Sequence, residues 1–140
     1  MRLLPGDRII WIQVLPIDAT HRIGRPQPAI FRPTYKGSLE LTRRHLEKFG
    51  KLESTAFSRT LADGGLQARH WKIQATVVLY GNKAGSEEMD PEVILWAKTS
   101  QARLYDVAAP QGFSFPIPVV GRQLFDENGW SLDQICDPPP

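Results

Sequence analysis

A single cysteine, Cys136, stands among 140 residues, so the chain carries no internal disulfide framework and no cysteine-built zinc site. No apolar run reaches the roughly 18–20 residues that a membrane-spanning helix needs. Met1–Pro16 is interrupted by Arg2, Asp7 and Arg8, so it does not read as a signal peptide. A reducing, cytosolic or nuclear setting is the simplest expectation. There is no Gly-rich loop followed by Lys-Ser/Thr, no dinucleotide fingerprint and no nucleophile elbow. The three histidines, His21, His45 and His70, share no metal-ligand spacing with one another or with a carboxylate on one element. His45, set among Arg43, Arg44 and Lys48, reads as a surface residue, and His70 as packing ahead of a strand. Cys136 lies beside Asp133 and Asp137, which disfavour a thiolate. Glu87, Glu88, Asp90 and Glu92 cluster without the fixed spacing of a calcium loop, and they read as a solvated acidic turn. No catalytic residue, metal, cofactor or small-molecule substrate is expected, and the chain reads as non-enzymatic.

Apolar residues make up 41% of the chain and charged ones 23%, enough for one domain with a real core. The net charge of +2 hides an asymmetry. Residues 1–70 hold 12 Lys/Arg against 6 Asp/Glu, while residues 71–140 hold 5 against 9. The basic excess is densest in Arg22, Arg25, Arg32, Lys36, Arg43, Arg44, Lys48 and Lys51. Such a patch attracts polyanions, either nucleic-acid phosphates or anionic lipid head groups. A molecule basic at one face and acidic at another can also stack head to tail on copies of itself.

Arg8–Ile17 reads as a strand with both faces largely apolar, ended by Pro16. The prolines and Gly24 of His21–Lys36 predict a long basic loop, placed at residues 20–37. Ser38 is a credible helix N-cap; Leu39, Leu46 and Phe49 fall on a helical stripe that Gly50 closes. Lys51–Ala62 extends that stripe as a second helix. His70–Tyr80 alternates cleanly and predicts a strand. Glu92–Thr99 is read as another strand, with Arg103–Val107 as its hairpin partner. Phe113, Phe115, Ile117 and Val119 alternate as an edge strand would. Asn128-Gly129 reads as a tight turn between Arg122–Phe125 and Trp130–Ile135. The expected fold is therefore α+β: one domain over residues 1–135, a mainly antiparallel sheet with two helices packed on one face. Residues 136–140 read as a proline-rich disordered tail.

Four tryptophans are many for this length; Trp11, Trp71 and Trp96 sit in predicted strands as core, and Trp130 docks a C-terminal segment. Phe31 and Tyr35 are interleaved with Arg32 and Lys36, the pattern of shallow membrane insertion or of base stacking. They are the candidate membrane or base contacts beside the polyanion-binding cations. Two alternatives remain open on these residues: a sequence-tolerant RNA-binding protein with no membrane role, and a small ribonuclease using His70, Arg69 and glutamates.

The second half of the chain resembles the matrix proteins of rhabdoviruses, which are negative-strand RNA viruses. The likeness runs through Lys72-Ile73-Gln74-Ala75-Thr76-Val77-Val78-Leu79-Tyr80, the acidic turn Ser86-Glu87-Glu88-Met89-Asp90, Pro91 to Trp96, and Gly129-Trp130-Ser131-Leu132-Asp133-Gln134-Ile135. It implies a non-enzymatic structural protein of the virion that self-associates into homo-oligomers. Such a protein binds anionic lipid head groups at the inner face of the host membrane and condenses nucleocapsid or RNA. The implied location is the virion, the host cytoplasm and that membrane face, as a peripheral protein.

Overall fold

Period-two alternation dominates this chain more than its helical stripes suggest, and the strands it makes close into a barrel. The computed structural model describes residues 3–50, 57, 59–62, 70–83, 86–105 and 116–131. Strand β1 (Arg8–Pro16) runs antiparallel to β2 (Gln27–Phe31), and β2 pairs in parallel with β7 (Val119–Val120). Strand β7 lies antiparallel to β3 (Leu39–Thr42), which is parallel to β6 (Met89–Tyr105). Strand β6 pairs antiparallel with β5 (His70–Asn82), and β5 returns to β1 through Trp11↔Tyr80 to Pro16↔Ala75. The circuit β1-β2-β7-β3-β6-β5 therefore closes as a six-stranded mixed barrel. Strand β4 (Arg59–Ala62) takes the place of β1 along His70–Ile73, beyond the point where β1 ends.

This corrects the expected sheet with two helices packed on one face. Only two short helices, α1 (Arg43–Glu47) and α2 (Arg122–Asn128), are formed among the described residues. Leu39 and Leu41 point into the barrel and Glu40 away from it, so the first part of the expected helix is strand β3. Ser38 is no helix cap: its buried hydroxyl accepts a hydrogen bond from the Thr99 hydroxyl at 2.9 Å. The cap is Thr42, whose Oγ1 accepts from the His45 backbone N–H at 3.2 Å while its own N–H donates to His45 Nδ1 at 3.1 Å. His45 is thereby buried rather than on the surface, and its Nδ1 must be unprotonated. The expected second helix over Lys51–Ala62 ends in strand at Arg59–Ala62, and its earlier residues other than Phe57 lie outside the described ones.

The loop expected over residues 20–37 contains β2, because Ala29, Ile30 and Phe31 supply a buried run between the prolines. Glu92–Thr99 and Arg103–Val107 are not a hairpin. They belong largely to one strand, β6, which bends where its register on β5 shifts between Ile73 and Ala75. Arg122–Phe125 is helix, and Asn128-Gly129 is its end rather than a hairpin turn. Gly129 takes φ 67°, and its N–H reaches back to the Asp126 and Phe125 carbonyls. The Asn128 amide accepts from the Lys98 N–H at 3.1 Å and donates to the Lys98 carbonyl at 2.9 Å, which docks α2 on β6. The proline-rich tail, 136–140, and Phe113 and Phe115 lie outside the described residues.

Ile10, Ile12, Val14, Ile73, Ala75, Val77 and Leu79 fill the barrel, with Phe125 of α2 packed edge-on against Phe31 at 5.3 Å. Phe49, just past α1, joins the same core. A second, smaller cluster sits outside the barrel, where Leu15, Val78 and Tyr80 pack with Trp11, Met89 and Trp96. No helix among the described residues is long and apolar enough to cross a membrane.

Candidate polyanion-binding face and groove

The outer cluster exists because residues 17–26, the strap between β1 and β2, fold back over β1 and β5. Outward side chains of the strands hold it. Thr76 Oγ1 donates to the Ile17 carbonyl at 3.0 Å. Gln13 Nε2 donates to the Gly24 carbonyl at 3.1 Å and, more weakly, to the Ile23 carbonyl at 3.4 Å. A glutamine in the middle of an apolar strand is thus 2% exposed and spends its amide on the strap backbone. Tyr80, 3% exposed, donates its hydroxyl to Gln13 Oε1 at 2.6 Å. Arg22 Nη1 donates to that same hydroxyl at 2.9 Å, with its guanidinium 6.0 Å from the Tyr80 ring centre.

The strap also meets α1. Gly24, at φ +84°, lies so close to the Phe49 carbonyl that a side chain there would collide with it. This contact brings the segment that carries exposed Arg22 and Arg25 against the end of the segment that carries exposed Arg43, Arg44 and Lys48. Cations some twenty residues apart in sequence are thereby drawn from two neighbouring surface segments. A narrow cleft of about 50 Å³ between α1 and the start of β2 is lined by Gln27, Pro28, His45, Lys48 and Phe49.

Not every expected contact residue shares this face. Arg32 is clamped on Asp7, with Nε 3.1 Å from Oδ1 and Nη2 2.7 Å from Oδ2. The Arg32 guanidinium holds the Asp7 carboxyl below its ordinary range, and Asp7 holds Arg32 up in turn. Lys36 is exposed, and Lys51 lies outside the described residues. Phe31 is 0% exposed and belongs to the core, so it presents nothing to a base or a membrane. Phe31 ends the buried run Ala29-Ile30-Phe31 of a short strand that contains Pro28 and stops before Pro33, so the prolines hid the strand and its core face. Tyr35 is half-buried, and its hydroxyl is fully buried with no hydrogen bond of good geometry. The large apolar side chain that does stand free between cations is Ile23, 55% exposed between Arg22 and Arg25.

Beyond β3, Glu40 and Arg103 are partners in the parallel β3–β6 register. Burial pushes the Glu40 carboxyl up, opposed by the Tyr35 hydroxyl and by the charges of Arg103 and Arg32. Burial and the Glu40 carboxylate push both the Tyr35 and the Tyr105 phenols up. The Tyr105 ring lies 5.4 Å from that of His70, which is half-buried as the first residue of β5. Of the expected acidic turn, Glu87 and Glu88 are exposed ahead of β6, whereas Asp90, half-buried, and Glu92, exposed, stand in that strand; no metal-holding cluster occurs among the described residues.

Between the strap and β6 runs an open groove of about 570 Å³. Met89, Pro91 and Trp96 form its apolar wall, and His21, Arg22, Gln13 and Tyr80 its polar one. Sequence reasoning gave Gln13 and Tyr80 no functional role, although an isolated polar residue in an apolar strand was a usable signal; it read Trp96 as core, whereas Trp96 is half-buried outside the barrel and lines the groove. No known family, curated protein or solved structure matches this chain, so its own geometry carries the functional argument.

Proposed function

We propose that this protein is a non-enzymatic binding module for single-stranded nucleic acid, held through the basic face that the strap and α1 share. The observation that carries this reading is the close packing of Gly24 on the Phe49 carbonyl, which unites the Arg22 and Arg25 segment with the Arg43, Arg44 and Lys48 segment. Phosphates neutralised by such a face release counterions, which gives affinity without sequence preference. An aromatic-walled groove opening beside the same cations suits unstacked bases, which a duplex does not offer.

A second reading is favoured by Ile23. An apolar side chain exposed at 55% between two arginines suits shallow insertion into an anionic bilayer. This is the matrix-type role: self-assembly at the inner face of a membrane together with ribonucleoprotein. Flotation with anionic and with neutral liposomes, with and without competing RNA, separates the readings. RNA bound without flotation supports the first. Salt-sensitive flotation on anionic liposomes, abolished by Ile23→Ser, supports the second. Binding to neither, by a folded protein at low salt, refutes both.

A further inference from the structure

The groove between the strap and β6 has the parts of a site for one nucleotide unit, and we propose that it takes one from the bound strand, with the phosphate on Arg22 and the base against Trp96. The inference rests on the nucleic-acid reading and adds to it a place and a chemistry. Four observations support it.

The polar wall is built rather than incidental. Gln13 and Tyr80 are 2% and 3% exposed. The Tyr80 hydroxyl donates to Gln13 Oε1 at 2.6 Å and accepts from Arg22 Nη1 at 2.9 Å. Gln13 Nε2 in turn donates to the strap carbonyls, so the network is closed by neutral groups and holds Arg22 in one place. The charge it holds is left unneutralised: among the described residues no carboxylate pairs with Arg22. Its remaining N–H donors form a fork suited to a phosphate. The opposite wall is apolar and aromatic, formed by Met89, Pro91 and Trp96. A pocket with one fixed cation facing an indole recognises a ligand that is anionic at one end and flat at the other. The volume of about 570 Å³ falls within the range that small ligands occupy.

The test uses the full chain and adenosine 5′-monophosphate, with ribose 5-phosphate and adenosine as partial probes. Nuclear magnetic resonance follows the four tryptophan indole N–H signals, and Trp96→Phe assigns the one belonging to Trp96. The expected result is a saturable shift of the Trp96 signal by the mononucleotide, with each partial probe binding at least about tenfold more weakly. Arg22→Gln weakens the mononucleotide by about tenfold as well, and Arg22→Lys restores only part of the loss because it lacks the fork. Arg22 is exposed, so these variants keep the fold and serve even if Trp96→Phe does not.

No shift at Trp96, or a shift unchanged by Arg22→Gln, overturns the proposal. Ribose 5-phosphate binding as tightly as the mononucleotide overturns the role given to Trp96 and leaves a plain phosphate site. If oligonucleotide binding survives while the mononucleotide leaves Trp96 untouched, the groove assignment fails alone. If oligonucleotide binding is itself absent, the nucleic-acid reading fails with it.

Discussion

Replacing Phe31 tests how the barrel core is closed. Set between Ile30 and Arg32 in a proline-rich, basic stretch, it has the look of an exposed contact residue. In the structure it is 0% exposed and meets Phe125 edge-on at 5.3 Å, fastening α2 to the barrel. Truncation to alanine removes a fully buried aromatic ring and leaves a cavity, which costs about 3–5 kcal/mol. Phe31→Leu keeps most of the volume and loses the ring pair, itself worth about 0.5–1.5 kcal/mol. With imperfect refilling added, the leucine variant is expected to lose about 1–2 kcal/mol. Urea unfolding followed by tryptophan fluorescence measures both variants, and oligonucleotide binding of Phe31→Leu is measured below its transition. The expected outcome is a lowered midpoint with unchanged binding. A change within about 0.5 kcal/mol, typical of a surface site, together with lost binding would refute the burial argument.

Two titrations carry opposite signs. Asp7 has its carboxyl depressed by Arg32, so its stabilisation is present above the unfolded value of about 3.9 and fades as pH falls through the folded one. Asp7→Asn should therefore cost about 2 kcal/mol near neutral pH, with a deficit that narrows on acidification in parallel urea series. Glu40 has its carboxyl raised by burial, so its contribution is fully present below the unfolded value and is lost as pH rises through the folded one. Glu40→Gln should raise the thermal midpoint near neutral pH and lose that advantage in acid; a variant less stable at neutral pH would mean that Arg103 and Tyr35 outweigh burial. The basic first half and acidic second half of the chain predict head-to-tail association. Light scattering at low salt should then give a mass that rises with protein concentration and falls back on adding salt, whereas a strict monomer would remove the idea.

Much of the barrel was legible as alternation. Ile10, Ile12 and Val14, and Ile73 through Leu79, announce strands because a run long enough to repeat the period cannot be mistaken for a helix. Leu39-Glu40-Leu41-Thr42 gives only two turns of the same pattern, and Leu46 and Phe49 beyond it complete a helical stripe by coincidence. Tertiary pairing with β6 and β7 decided it. Asn128-Gly129 was ambiguous for a different reason, since a left-handed glycine serves a hairpin turn and a helix end equally well. Closure of the barrel was not legible at all, because it depends on parallel pairings such as Ile30↔Val119 and Glu40↔Arg103 between segments distant in sequence. The cations were legible as a group, but not their division: Asp7 lies far from Arg32 in sequence, and only the fold shows that it claims that side chain.

The central claim is that exposed cations of the strap and α1 act together on a single-stranded polyanion. Fluorescence anisotropy of a labelled oligouridylate, titrated with the protein across a salt series, tests it most directly. If Arg22, Arg25, Arg43, Arg44 and Lys48 each neutralise a phosphate, log affinity should fall against log salt with a slope of about −3.5, or roughly a hundredfold between about 50 and about 200 mM salt. Reversing Arg44 and Lys48 to glutamate should flatten that slope by at least about 1.4 while the urea midpoint stays put. A slope near zero, or a folded double variant that binds as the parent does, would contradict the account.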